Sequence, residues 1–480
     1  MPLVDNELAL RLEASSETRD GFYSDANSSE TLDNLDRQFV RAKLLWQPSE
    51  TVSWSFSADY TIRRENCCVA LLAIAGPTVG TVNTIAANNG GVGYPSTNPF
   101  DREASKNANR RNQEDIDDMG VSAAGEFDLG WATLTSITAY RSWAADRSQD
   151  FDHSGADLGF FAPNGLHQEF DVFTQEFRLQ GTSGNLDWLL GAFYSDETVV
   201  NDSAFRMGAD FPTIFGGAAT FQATTLAAFT PGDGARGIGE QEGQDLSVFT
   251  HNIFNVTDAL SITAGLRYTQ NDKKIDYRGE NFNPACDSAV LTNDATGRAL
   301  FCLPFWDTRL NPAGDSDSRS ETATTGTLNA AYEFSPTLTS YVSYSRGYKS
   351  GGYNFDRGGF TTPATPDASD LAFSEETVDA YEIGVKGEFF NRSLRANFAA
   401  FHQTFEGFQL IEFTGASFVV RSLAEVVSKG VELELTWFPT EGLTLTNGLS
   451  YTDAYYTDDP GNLTYAGREM EQSPDWVNVS

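Results

Sequence analysis

From Val52 to Ile62 every second side chain is apolar or aromatic: Val52, Trp54, Phe56, Ala58, Tyr60, Ile62. The residues between them, Ser53, Ser55, Ser57, Asp59 and Thr61, are polar. A period of two belongs to an extended strand, whose successive side chains point to opposite faces; a helix repeats every 3.6 residues. A strand that crosses a bilayer needs about 9–11 residues, and this stretch is that long. Taken alone, it reads equally well as one strand of a sandwich with a single buried face.

Repetition separates these readings. The same alternation returns at Leu186–Tyr194, Leu260–Tyr268, Leu338–Arg346, Leu394–His402, Val431–Trp437 and Leu443–Tyr451. Short turns such as Gln47-Pro48-Ser49-Glu50, Thr182-Ser183-Gly184-Asn185, Ser335-Pro336-Thr337 and Pro439-Thr440-Glu441-Gly442 precede several of them and predict hairpins. Each hairpin runs on into a long polar stretch, over residues 63–118, 143–169, 198–243, 271–320 and 350–376. Compact domains rarely hold loops beyond about 12–15 residues, so five of them argue against a sandwich. Short turns at one end and long loops at the other are the asymmetry of outer-membrane barrels. The pattern therefore predicts an all-β, antiparallel transmembrane β-barrel wall of about fifteen complete strands, with a further one starting at Trp476–Ser480. Its long loops would be extracellular. Trp54, Phe56, Trp188, Leu266, Leu445 and Leu449 are expected to face lipid, and Ser55, Asp59 and Thr61 the lumen.

Composition agrees. Thirty-two basic against 67 acidic side chains leave a formal charge of −35, which repels phosphate backbones, so nucleic acid is not an expected partner. The longest apolar run, Cys67 to Ala75, is too short for a transmembrane helix. Met1 to Leu10 lacks the basic start and apolar stretch of a secretory signal.

The segment Ser340–Asn354, SYVSYSRGYKSGGYN, resembles the mid-barrel signature of TonB-dependent outer-membrane receptors. In that signature spaced tyrosines run into a Gly-(Phe/Tyr)-(Lys/Arg)-x-Gly turn; here the residues are Tyr341, Tyr344, Arg346, Gly347, Tyr348, Lys349, Gly351 and Gly352. PLVDNELALRLEAS, FTQEFRLQG with DWLLGAFY, FTHNIFNVTDALSITAGLRYT, ETVDAYEIGVKGEFFNRSLRANFAAFHQTFEGFQ and SKGVELELTWFPTEGLTLTNGLSYTDAYY are similar to the same family in the same order. The resemblance implies a receptor that imports a scarce nutrient, a ferric siderophore or another large ligand, across the outer membrane of a Gram-negative bacterium. Its partners would be outer-membrane lipid, the ligand, and the TonB complex reached through a plug. Neither a plug nor a TonB box is recognisable in residues 1–480, so the chain is expected to be one partial barrel domain, about 15–16 strands of the family's 22. A passive porin and a secreted β-rich adhesin are the alternatives.

Within the signature, Arg346 and Lys349 bring positive charge beside Tyr348 and Tyr353. These four are the ligand-binding candidates, through charge-assisted bonds and aromatic contact. A structural reading is favoured for the motif as a whole, with the tyrosines in the interfacial belt and Gly347, Gly351 and Gly352 permitting a tight turn. Cys286 and Cys302 enclose 15 residues of one polar stretch and form the disulfide candidate. Cys67 and Cys68 are adjacent, with α-carbons about 3.8 Å apart across a trans peptide, closer than disulfides prefer. That pair is expected to stay open.

Nothing points to enzymatic chemistry or a cofactor. Gly232-Asp233-Gly234-Ala235-Arg236-Gly237 has the letters of a dinucleotide fingerprint without a βαβ unit around it. Asp315-Ser316-Asp317 lacks the later ligands of a calcium loop. His153, His167, His251 and His402 are scattered, so no metal site is expected.

Overall fold

The computed structural model describes residues 2–302, 314–355, 368–413, 418–458 and 465–479. Seventeen strands form one sheet. In chain order they are β1 (Pro2–Val4), β2 (Leu8–Arg19), β3 (Leu35–Ser49), β4 (Val52–Glu65), β5 (Gln113–Asp128), β6 (Thr133–Asp150), β7 (Gly159–Ser183), β8 (Leu186–Met207) and β9 (Gly234–Asn255). They continue as β10 (Leu260–Phe282), β11 (Asp315–Ser335), β12 (Leu338–Lys349), β13 (Glu376–Phe389), β14 (Leu394–Phe413), β15 (Phe418–Thr440), β16 (Leu443–Tyr456) and β17 (Trp476–Val479). Every neighbour in this order is antiparallel, and among the described residues no pairing joins β1 to β17, so the wall is not closed. Fifteen long strands and a short last one are the number expected; the three-residue β1 is additional.

One end of the wall carries tight turns at the expected places. Gly442, at the β15–β16 turn, has φ +84, a left-handed conformation that side chains with a Cβ rarely adopt. At the other end the strands run further than the alternation predicts. The expected loop 143–169 shrinks to residues 151–158, because β6 continues to Asp150 and β7 begins at Gly159. Beyond the bilayer both faces of a strand meet water or polar loop, so the apolar signal fades while the ladder of backbone hydrogen bonds persists. Residues 303–313 and 356–367 of the two later loops lie outside the described residues.

The two faces separate as predicted. Cross-strand partners share a face. Val40, Tyr60 and Met119 form one row and are 53%, 39% and 43% exposed, and Leu266, Leu328 and Val342 elsewhere on that face are equally open. These are the lipid-facing positions. The opposite face is charged: Asp59 lies 3.0 Å from Arg141 and 3.8 Å from Arg41. Near the short turns the outward aromatics gather, with Trp131 stacked on Trp188 and Trp54 edge-on to Phe127. Higher on the same face, tyrosine hydroxyls donate to aspartates: Tyr60 to Asp117 (2.6 Å), Tyr140 to Asp171 (2.9 Å), Tyr194 to Asp196 (3.1 Å) and Tyr344 to Asp379 (2.6 Å). Each of these tyrosines lies six to eight residues beyond the first residue of its rising strand.

The long loops fold back on themselves. Helices α1 (Val79–Asn88), α2 (Phe211–Ile214), α3 (Ala223–Ala228), α4 (Pro284–Leu291) and α5 (Ala295–Phe301) lie within them. Phe301 is fully buried against Phe211, Phe221 and Phe229. Cys286 and Cys302 are joined, with α-carbons 5.0 Å apart, and so tie α4 to the end of α5. Cys67 and Cys68 are joined as well, contrary to the expectation from their adjacency. The spacing argument treated the backbone as ordinary, whereas Cys68 has φ +74 and turns the chain sharply between the two side chains.

Candidate functional site on the lumen wall

The signature occupies β12 and the segment just after it. Tyr344 and Arg346 face outward, since Arg346 pairs across β11 with Gly326, and Gly326 in turn with Leu266. The Arg346 guanidinium bonds Asp379 at 2.8 Å, the same aspartate that accepts from Tyr344. Tyr341 alternates to the inner face and bonds Glu382.

Beyond Arg346 the arrangement changes. The ladder between β11 and β12 stops there, while β12 stays paired to β13 as far as Lys349. Freed on one side, the chain bends inward. Tyr348 donates to Glu321 Oε2 at 2.7 Å, and the Gly351 N–H reaches the same oxygen at 3.0 Å. Glu321 is also paired with Arg319, whose guanidinium bonds the Phe373 carbonyl. Lys273 Nζ holds the segment from below, at 2.7 Å from Ser350 Oγ and 2.8 Å from the Gly351 carbonyl. Tyr353 is buried, donating to Asp317 at 3.0 Å, and Asn354 exchanges hydrogen bonds with Val420 on β15. Gln409 on β14 donates to the carbonyls of Ser350 and Ser374. The result is an inward strap fastened to its neighbouring strands, a polar wall rather than an empty pocket.

The glycines serve a different purpose from the one expected. Gly347, Gly351 and Gly352 do not adopt the left-handed conformation. A Cβ on Gly351 would stand 2.5 Å from the Phe373 carbonyl oxygen and 2.6 Å from the Arg319 guanidinium, so the strap passes too close to its anchors for a side chain. Lys349 is exposed at the last position of β12.

Of the four ligand candidates, then, Tyr348 and Tyr353 point into the wall with their hydroxyls engaged by carboxylates, Arg346 faces outward, and Lys349 is open. Sequence reading missed Lys273, Asp317, Arg319 and Glu321, which hold the strap. Lys273, Asp317 and Arg319 lie in the stretch read as loop 271–320, and Glu321 is the first residue past it. They alternate along β10 and β11, yet both faces there are polar and no apolar rhythm marks them.

A second charged array lines the inner face of β3 to β7. Glu65 accepts from Arg37 (2.5 Å) and Arg63 (2.8 Å), and Glu114 from Arg147 (2.5 Å), which also reaches Gln168 (3.0 Å). Further round, Arg267 lies 5.4 Å from the ring centres of both Phe193 and Phe249. Above this, Asp152 in the loop between β6 and β7 is half-buried, and the loss of water around its carboxyl pushes it up to about 6. Burial likewise lowers the neighbouring His153 and raises Tyr94, which donates to the Asp152 carbonyl.

An antiparallel wall with an apolar outward face, a charged inner face, tight turns below and folded loops above is the architecture of a membrane β-barrel wall. The chain belongs to the TonB dependent receptor-like, beta-barrel family, whose model matches residues 72–478. That is a family of receptors and not of enzymes. Among solved structures it is similar to the ferric yersiniabactin uptake receptor FyuA from Yersinia pestis, at 18% identity and TM-score 0.71, over 99% of this chain and 61% of that one. The siderophore receptor PiuA from Acinetobacter baumannii is 13% identical with TM-score 0.66, over 99% and 65%. The ferric-catecholate import receptor Fiu from E. coli K12 is 12% identical with TM-score 0.60, over 98% and 64%. The chain thus spans less than two thirds of the length of these receptors.

Proposed function

We propose that the chain forms the barrel wall of an outer-membrane receptor that imports a scarce nutrient, a ferric siderophore or a similarly large metal chelate, in a TonB-dependent way. The observation that carries this reading is the combination of a family match over most of the wall with an inner face rich in paired charge. Inner charges are paired across strands at several points, as Arg141 is with Asp59 and Arg147 with Glu114. In the complete receptor the TonB complex would act through a plug inside this wall, and the outward face would meet outer-membrane lipid. Lys349, exposed at the end of β12, is the candidate for the ligand's side of the signature, with Tyr348 and Tyr353 holding the strap and Arg346 serving the interfacial belt.

Deletion of the gene should abolish uptake of radiolabelled iron from one class within a panel of hydroxamate, catecholate and mixed siderophores under iron limitation. Collapse of the proton-motive force should abolish the same uptake in the parent. Unchanged uptake across the panel would refute the iron-chelate reading. Uptake that persists without the proton-motive force would refute energy coupling and favour a passive pore.

A further inference from the structure

Where β4 ends and β5 begins, Cys67, Cys68 and Glu114 come together. Their two sulfurs and one carboxylate oxygen all lie within 4.8 Å of one another, the one such group of three metal-ligating side chains among the described residues. Glu114 is buried, Cys67 half-buried and Cys68 exposed, so the corner is walled by the carboxylate and open to solvent past Cys68. Glu114 Oε1 accepts from Arg147 at 2.5 Å, while Oε2 is 3.5 Å from Arg63 and has capacity to spare. Beside it Glu65 takes Arg37 and Arg63. Three guanidiniums against two carboxylates leave a positive surplus that anionic sulfur ligands offset. On the outer side Gln149 donates to the Cys68 carbonyl at 3.4 Å and contacts His153 Nε2 at 3.2 Å, while His153 Nδ1 is buried without a hydrogen-bond partner.

We propose that reduction of the Cys67–Cys68 bond converts this corner into a site for one thiophilic divalent cation of the zinc or cadmium class, held by both sulfurs and Glu114. Thiolate is the ligand form of cysteine, so the disulfide keeps the site shut. Reduction breaks the S–S bond: two external thiols give up two electrons and two protons and leave as their own disulfide, or one phosphine gives up two electrons and leaves as its oxide while water supplies the oxygen and the two protons. The cation then displaces the two sulfur-bound protons to solvent. Sulfur donors select soft or borderline cations, and two of them with one carboxylate leave a fourth tetrahedral position open. The site is independent of what the wall imports.

Cadmium is the probe, because its bonds to thiolate absorb in the ultraviolet. In the whole protein in detergent, phosphine treatment followed by Cd²⁺ should produce this absorption, saturating at a single ion per chain, and the untreated protein should show none. C67S and C68S should each abolish it, C286S/C302S should keep it, and E114Q should weaken cadmium binding about 10-fold. Alkylating the reduced wild type with N-ethylmaleimide should remove the signal without any substitution, which covers a serine variant that fails to fold. Absorption that survives in C67S/C68S, arises equally in the untreated protein, or is missing from the reduced wild type overturns the proposal.

Discussion

Asp152 shows how one side chain couples a loop to pH. Its half-buried carboxyl lies beside Asp150 and accepts from Ser154 and from the N–H groups of Leu158 and Gly159. Burial raises its folded value to about 6 from 3.8, so the fold favours the protonated form. The contribution to stability is complete below about pH 4 and is lost as pH rises through about 6. Hydrogen exchange in 151–158, corrected for the intrinsic pH dependence of exchange, should therefore be better protected at pH 4 than at pH 7, and D150N/D152N, which removes both adjoining carboxyls, should flatten the difference. Equal protection at both pH values in the wild type would show that the carboxyl is not held protonated. Glu321 fastens another segment by a single side chain, since it satisfies Arg319, Tyr348 and Gly351 at once. E321A leaves the half-buried Arg319 guanidinium with only the more distant Glu375, 3.8 Å away, and strips Tyr348 and Gly351 of their shared acceptor, so it should cost about 2 kcal/mol. Limited proteolysis within 350–375 should report it, whereas Y348F, which removes a single hydrogen bond, should cost about 1 kcal/mol.

Strands make their own predictions. On β12, Val342 points to lipid near the middle of the wall and is 55% exposed, while Ser343 points inward. V342R should cost about 2–4 kcal/mol and S343R well under half of that, read from urea unfolding followed by heat-modifiable migration. Equal costs would contradict the assignment of faces. In the loops, removing the Cys286–Cys302 bond with C302S should cost about 3 kcal/mol in the loop-entropy picture and expose the Phe301 cluster to protease. Strand positions and their faces were legible because lipid on one side and polar lumen on the other write a period of two. Turns at Pro48, Gly184, Pro336 and Gly442 were legible from turn chemistry. The anchors Lys273, Asp317, Arg319 and Glu321 were not, since a strand polar on both faces reads as loop. Nor was the inward bend after Arg346, which depends on where the β11 ladder stops, a long-range fact. Adjacent Cys67 and Cys68 misled because the left-handed turn at Cys68 has no signal of its own.

At the scale of the whole wall, height can be counted in residues from the short turns. Tryptophans crowd the lower rim, and tyrosine–aspartate pairs recur six to eight residues up each of four rising strands. A rise of about 3.3 Å per residue along strands tilted by about 40° puts Tyr60 and Tyr194, six residues beyond Trp54 and Trp188, roughly 15 Å above the lower belt, more than half the height of a barrel's apolar band. Lipids brominated near the headgroup should therefore quench Trp46, Trp54, Trp188 and Trp437 more strongly than lipids brominated at the chain end; the reverse order would misplace the lower belt. The upper belt acts as a load line. Sinking the wall by one rung would drag several hydrogen-bonded carboxylates into oil at once, and lifting it would wet the indoles. The restoring force grows with the number of pairs around the circumference, so a wall of this kind resists axial tension from below and lets a pull displace what lies inside it instead.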